Sequence, residues 1–280
     1  MKIKYLGTAA YEGIPAMFCN CETCKSAFLR GGKNIRTRSS ALIDDDLLID
    51  FNPDTLTHYQ TYRFNMDKID NYLITHDHSD HFYPEDLLMA GNGYAKQNRH
   101  KIHLWAGKAA IEHAIAAEDG DGGPQNFENV ICLHEIEPFK NYRIGKYDVL
   151  ALKANHSEDT SPLFFAISDG KKKLLYAHDT GYFSEDAWNA LKNFAENGKF
   201  DLVTCDCTGA LQKGWKDHHL SYDVDLEIFD RLKKEGAADA RTKFVVNHFS
   251  HNGGANYDDL KPIADRDGVI VSYDGLTIEL

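Results

Sequence analysis

Short aliphatic and β-branched runs, each closed by polar or glycine positions, recur along the whole chain. Residues 2–6, 40–43, 47–51 and 71–75 have this character and predict strands in the first quarter. A helical pattern follows at 84–95, with Pro84 placed where a first turn tolerates proline. A strand at 101–105, a helix at 108–117 and a Gly-, Asp- and Asn-rich loop at 118–129 come next. The second half repeats the style, with strands expected at 130–134, 147–154, 163–167, 173–177, 202–205, 243–247, 268–272 and 276–280. Helices are expected at 184–196 and 222–234. Ser184 can cap the first, where Glu185 and Asp186 suit the positive end of the helix dipole. No repeat, low-complexity segment or Pro/Ser-rich linker interrupts this order, so one domain over residues 1–280 is expected. Strands opening each half with helices interspersed fit an α/β architecture of two sheets between helical layers.

Composition narrows the functions open to such a domain. With 280 residues, 42% apolar and 26% charged, the chain can bury a sizeable core. A net charge of −12 speaks against gripping nucleic acid or anionic lipid over a broad face. A small anionic substrate stays compatible, because bound dications dominate the local field. Lys33, Arg36 and Arg38 read as a solvated loop rather than a phosphate reader. No apolar run approaches the roughly 18 residues of a membrane span, and the first residues turn into a glycine loop too early for a signal peptide. The expected location is therefore the cytoplasm. In a reducing compartment, clustered thiols are metal ligands more often than disulfides, which singles out Cys19, Cys21 and Cys24. Cys132 lies in an apolar run and reads as buried, and Cys205 and Cys207 read as buried or loop-lining thiols.

The densest chemistry lies in Thr75-His76-Asp77-His78-Ser79-Asp80-His81, directly after an apolar strand. Imidazole and carboxylate suit Zn, Mn and Fe dications. His76 and His78 share one face of an extended segment, while Asp80 and His81, past a turn at Ser79, can reach a second site beside the first. Later strands also end in candidate ligands: Ala154-Asn155-His156-Ser157, His178-Asp179-Thr180-Gly181 and Val246-Asn247-His248. There is no Gly-x-Ser-x-Gly elbow and no P-loop, which turns the reading away from a serine nucleophile and from nucleotide-driven phosphoryl transfer.

In this order the motifs resemble the metallo-β-lactamase superfamily. The resemblance implies a four-layer αββα sandwich of two mixed β-sheets flanked by helices. It also implies that His76, His78 and His156 hold one divalent metal and Asp80, His81 and His248 a second, with Asp179 bridging. Asp77 is left an orienting role and His178 a structural one. Two such metals, roughly 3.5–4 Å apart, generate hydroxide near neutral pH and clamp the attacked group.

Gly7-Thr8-Ala9-Ala10, Gly13-Ile14-Pro15 and Cys19-Asn20-Cys21-Glu22-Thr23-Cys24 are similar to the N-terminal region of the phosphonate-pathway cyclic phosphodiesterases. In that branch a Cys-x-Cys-x-x-Cys cluster holds a structural zinc with a histidine three residues after the last catalytic-site histidine. That position is His251 here, completing a closed tetrahedral shell.

His218-His219-Leu220-Ser221 resembles the His-Leu/Met-Ser/Thr motif of the phosphodiesterase branches, which include the tRNA 3′-end processing endonucleases. There the histidine steadies the phosphate and protonates the leaving oxygen, a task suited to imidazole. His219 takes that role, with His218 as the alternate, and Asp80 joins it in the catalytic set. The expected function is metal-dependent hydrolysis of a small, cyclic or otherwise, phosphodiester. A carboxyl-ester, lactone or thioester hydrolase on the same fold and a non-catalytic binding or carrier protein are the competing readings. A small-molecule substrate is the expected partner, without membrane or large nucleic acid. The sequence leaves open the catalytic metal (Zn, Mn or Fe), the natural substrate and whether the chain forms a homodimer.

Overall fold

The computed structural model describes residues 1–91, 94–96, 101–119 and 130–280. The first sheet contains β1 (Lys2–Gly7), β2 (Ser40–Ile43), β3 (Leu47–Ile49), β4 (Asn71–Leu73), β5 (Ile102–Ala106) and β6 (Ile131–Glu135). The second contains β7 (Asn141–Ile144), β8 (Tyr147–Lys153), β9 (Leu163–Ser168), β10 (Lys173–Ala177), β11 (Leu202–Asp206), β12 (Lys243–Asn247) and β13 (Val269–Val271). The last strand, β14 (Thr277–Glu279), returns to the first sheet, whose order is β14-β1-β2-β3-β4-β5-β6; the second runs β13-β12-β11-β10-β9-β8-β7. Each sheet is mixed: β3 to β6 and β10 to β13 pair in parallel, the remaining neighbours antiparallel.

The strands are apolar on both faces because both faces are covered. In β10, Leu174 and Tyr176 enter the core between the sheets with Ile3, Tyr5 and Phe165. Their neighbours Leu175 and Ala177 point the other way, against Trp188, Leu191 and Phe229. Those come from α4 (Glu185–Phe194) and α5 (Tyr222–Lys234), which cover the second sheet with α6 (Tyr257–Asp267). The first sheet packs its outer face, through Leu42, Leu48 and Leu104, on Ala110, Ile111 and Ala114 of α3 (Lys108–Asp119). The layering is the four-layer αββα sandwich that the resemblance implies. Two shorter helices, α1 (Glu22–Arg30) and α2 (Thr55–Tyr62), complete the described helices. None of the described helices is long and apolar enough to cross a membrane.

Several elements differ from the sequence reading. The helix expected at 84–95 is a 3₁₀ segment, Pro84–Ala90, and residues 92–93 lie outside the described residues, as do 120–129 of the expected loop. β7, α1, α2 and α6 are not among the elements expected from the sequence. In α6, Pro262 sits inside the helix, which forms because an Asn256–Asp259 capping box starts it and Gly268, at φ 71°, ends it. Ser184 caps α4 as expected, its Oγ accepting from the Ala187 N–H at 3.2 Å. Cys205 and Cys207 are buried, but Cys132 is only half-buried.

The parallel strands and β8 all deliver their C-terminal ends to one edge of the sandwich, where open α/β sheets commonly gather functional loops. Gly181, just after β10, lets a second loop approach that edge. A Cβ there would lie 2.3 Å from the Lys216 carbonyl oxygen and 2.7 Å from the His218 nitrogen. Gly181→Ala should therefore push the 216–219 segment outward. Turnover is expected to fall by about ten- to a hundredfold, the scale of an ångström-level misplacement, while metal analysis finds unchanged content; full activity would show that this close approach is dispensable.

Candidate metal centre

Two groups of donors meet at the strand ends. His76 and His78, from the loop after β4, meet His156 after β8 and Asp179 after β10, with ligand atoms all within 4.8 Å of one another. Asp80, His81 and His248 form a second such group that again includes Asp179. Within the first, His78 Nδ1 lies 3.0 Å from His76 Nε2 and 3.1 Å from His156 Nε2. Within the second, His81 Nε2 lies 3.2 Å from His248 Nε2 and 3.3 Å from Asp80 Oδ2. Asp179 Oδ2 touches both, 3.0 Å from His76 Nε2 and 3.2 Å from His81 Nε2. Asp179 Oδ1 is buried without a well-formed hydrogen bond.

In four of these five rings the other nitrogen fixes this presentation. His81 Nδ1 donates to Asp50 Oδ2 at 2.7 Å, and His156 Nδ1 faces the His218 carbonyl oxygen at 3.3 Å. His248 Nδ1 lies 3.1 Å from Asp206 Oδ2 and 2.9 Å from Thr208 Oγ1. Thr75 Oγ1 donates to Asp50 at 2.9 Å and is left to accept from His76 Nδ1 at 3.0 Å. With these Nδ1 atoms pinned, Nε2 of His76, His81, His156 and His248 faces the pocket, whereas His78 faces it through Nδ1; this is the outer-sphere arrangement expected around metal-bound histidine. The donor set fits divalent cations, and the buried Asp179 Oδ1 lies among the converging ligand atoms.

The electrostatics agree. Burial opposes ionisation of Asp179 and Asp80, yet His248 and His81 respectively hold their carboxyls well below the usual range. Burial lowers His76 and brings His156 down to about 4, which favours their neutral forms, whereas Asp80 raises His81 and Asp179 raises His248 against the cost of their burial. His219 is the counterpart. Burial disfavours its cation, but Asp206 and Asp179 outweigh this and push it up to about 11. Its Nδ1 lies 3.1 Å from Asp179 Oδ1 and 3.3 Å from Asp206 Oδ2. His218 contributes its carbonyl to His156 while its own ring is exposed. Asp77 pairs with His113 of α3 at 2.7 Å, and His178 is buried against Thr204 and Asn247, so neither belongs to the donor groups.

A family model described as a β-lactamase superfamily domain matches residues 46–246. The chain belongs to that superfamily. Among solved structures it is similar to a diphosphatase of the PhnP family (18% identity, TM-score 0.69, covering 100% of this chain and 97% of that one). It is also similar to Zn²⁺-bound PqqB from Methylobacterium extorquens (18%, 0.68, 100% of both) and to the short form of human tRNase Z (16%, 0.66, 100% and 99%). At these identities the likeness is one of fold. An octanoyltransferase from Porphyromonas gingivalis is 35% identical over 85 residues, 29% of this chain; the match spans only 16% of that protein's length.

This β-lactamase-superfamily fold carries a second cluster. Cys19, Cys21, Cys24 and His251 bring three sulfurs and a nitrogen within 4.8 Å of one another, with His251 Nδ1 3.5 Å from Cys19 Sγ and 3.4 Å from Cys21 Sγ. Backbone N–H groups of Cys21, Cys24 and Ala16 point at the three sulfurs, as suits thiolates. Behind the ring, Glu12 Oε1 lies 3.5 Å from His251 Nε2. The cluster has the composition and closure of a structural zinc shell.

Asp50 and Asp206, fully buried carboxylates that orient His81, His248 and His219, were not singled out by sequence reasoning. Each ends an apolar strand run, Leu47-Leu48-Ile49-Asp50 and Leu202-Val203-Thr204-Cys205-Asp206, which is the signal that was available.

Two outcomes test these assignments. Asp206→Asn should keep the stoichiometry of the centre but weaken its metal affinity by roughly 10–100-fold, as loss of an orienting partner does; competition against a chromophoric chelator measures this, and unchanged affinity would deny Asp206 an orienting role. Cys21→Ser should lose one zinc that survives brief chelation of the unmutated protein and should lower Tm. Retention of that zinc in the variant would rule out the thiolate cluster.

Proposed function

We propose that this superfamily hydrolase is a phosphodiesterase acting on a small phosphodiester, cyclic ones included, with two divalent metals (Zn, Mn or Fe) at the centre and one zinc in the cysteine cluster. On this reading His76, His78 and His156 hold one metal, Asp80, His81 and His248 the other, and Asp179 is shared. Bound there, dications lower the pKa of water and polarise the phosphoryl oxygens.

The observation that carries the reading is the position of His219, an imidazole on the wall of the cleft, its Nδ1 3.1 Å from the Asp179 carboxylate that both donor groups share. Its Nδ1 is hydrogen-bonded to Asp206 and lies near Asp179, so Nε2 is the ring's remaining donor, suited to protonating a leaving alkoxide. A dication sharing Asp179 would take up part of that carboxylate's charge and ease release of the proton. An alkoxide leaving a phosphodiester needs that proton.

The cleft measures about 390 Å³ and is rimmed by Tyr11, Trp215 and Asn252, dimensions that favour a small molecule over folded RNA, as does the net charge of −12. The Cys-x-Cys-x-x-Cys and His251 cluster and the likeness to a PhnP-family fold support the cyclic phosphodiesterase branch. Six free cysteines accord with the cytoplasm.

His219→Ala should leave metal content intact and lower kcat by roughly 10²–10⁴-fold on an alkyl-leaving phosphodiester. The loss should shrink on bis(p-nitrophenyl) phosphate, whose leaving group needs little protonation. Equal losses on both would make His219 a binding residue. Metal-loaded protein that cleaves p-nitrophenyl acetate but not bis(p-nitrophenyl) phosphate would replace this reading with that of an ester hydrolase.

A further inference from the structure

A third group of metal donors lies away from the cleft, on β5 and β6 at the edge of the first sheet. The two strands pair in parallel with His103 opposite Cys132 and Trp105 opposite His134. Alternation along a strand then puts all four side chains on one face, together with Asn71 and Leu73 of β4. The ligand atoms of His103, Cys132 and His134 fall within 4.8 Å of one another, and all three residues are partly open to solvent. His103 Nδ1 and His134 Nε2 are 2.9 Å apart. Trp105 lies flat on the His134 ring, with centroids 4.0 Å apart and planes 12° from parallel, and its Nε1 donates to Asn71 Oδ1 at 3.2 Å. The ring that must present a donor is thus held by a neighbour that is itself held.

We propose that His103, Cys132 and His134 form a further zinc site, separate from the hydrolytic centre and from the cysteine cluster. Two imidazoles and a thiol are the donor set preferred by zinc and copper and are poor for Mg, Ca or Mn. Three protein donors leave one tetrahedral position for water or an incoming ligand, so the ion exchanges readily. On binding, the cation takes the place of the proton between the two imidazoles, which moves through solvent to the outward nitrogen of the same ring, and the Cys132 thiol releases its proton to solvent. The site joins two strands at a sheet edge, where a cation adds a cross-link that backbone pairing lacks.

The test uses the full chain and zinc itself. After mild chelation, zinc uptake is titrated against a chromophoric chelator. Wild type is expected to take up one equivalent more than Cys132→Ser and one more than His103→Gln, with hydrolysis retained in both. Tryptophan emission should change with that equivalent in wild type and not in Trp105→Phe. Should either substitution compromise folding, the unmutated chain still decides the matter: zinc should slow alkylation of Cys132, read by peptide mapping. Equal zinc uptake in wild type and variants, or an alkylation rate at Cys132 indifferent to zinc, overturns the site and leaves a hydrogen-bonded histidine pair beside a thiol.

Discussion

Imidazole nitrogens facing one another at 3.0–3.2 Å, with lone pairs converging on a shared carboxylate, impose a demand that shapes the surrounding structure. Something positive must stand between them. In the bare chain, the carboxylates Asp80, Asp179 and Asp206 favour protonation of His81, His248 and His219 against the cost of burial. A dication supplies the same charge and displaces protons. Everything behind the pocket serves to keep the rings from turning away: Asp50 and Thr75 behind His81 and His76, Asp206 and Thr208 behind His248.

The backbone shows where this is hardest to achieve. Asp50, Asp179 and His248 all occupy the left-handed region, with φ of 63°, 53° and 60°. Such conformations cost non-glycine residues about 1–3 kcal/mol each and persist only where the surroundings fix them. Here they turn the chain sharply at the ends of β3, β10 and β12, so that a side chain leaving a buried strand points across the sandwich edge. Two of these three, Asp179 and His248, belong to the donor groups, and the third, Asp50, orients His81.

Legibility from sequence follows the same division. The strands could be read because burial on both faces makes them continuously apolar, and the ligand run was plain because five ionisable residues crowd into Thr75–His81. α1 was obscured because its buried residues, Cys24 and Ala27, are small while the bulky Phe28 and Leu29 are exposed, and α6 because it contains Pro262. Asp50 and Asp206 were hidden because a lone aspartate after an apolar run gains meaning only from a residue far away in sequence. The grouping of His103 with Cys132 was beyond reach, since it depends on the register between β5 and β6 across 28 intervening residues, part of them outside the described structure.

The donors of the hydrolytic centre come from both sheets and from as far apart in sequence as His76 and His248. No unfolded chain presents them together. Any cation held there therefore favours the native state over the denatured ensemble by mass action, in proportion to the logarithm of its free concentration. Nutritional supply of that ion then becomes a determinant of how much folded protein persists, and scarcity would be registered as reduced abundance as well as reduced catalysis.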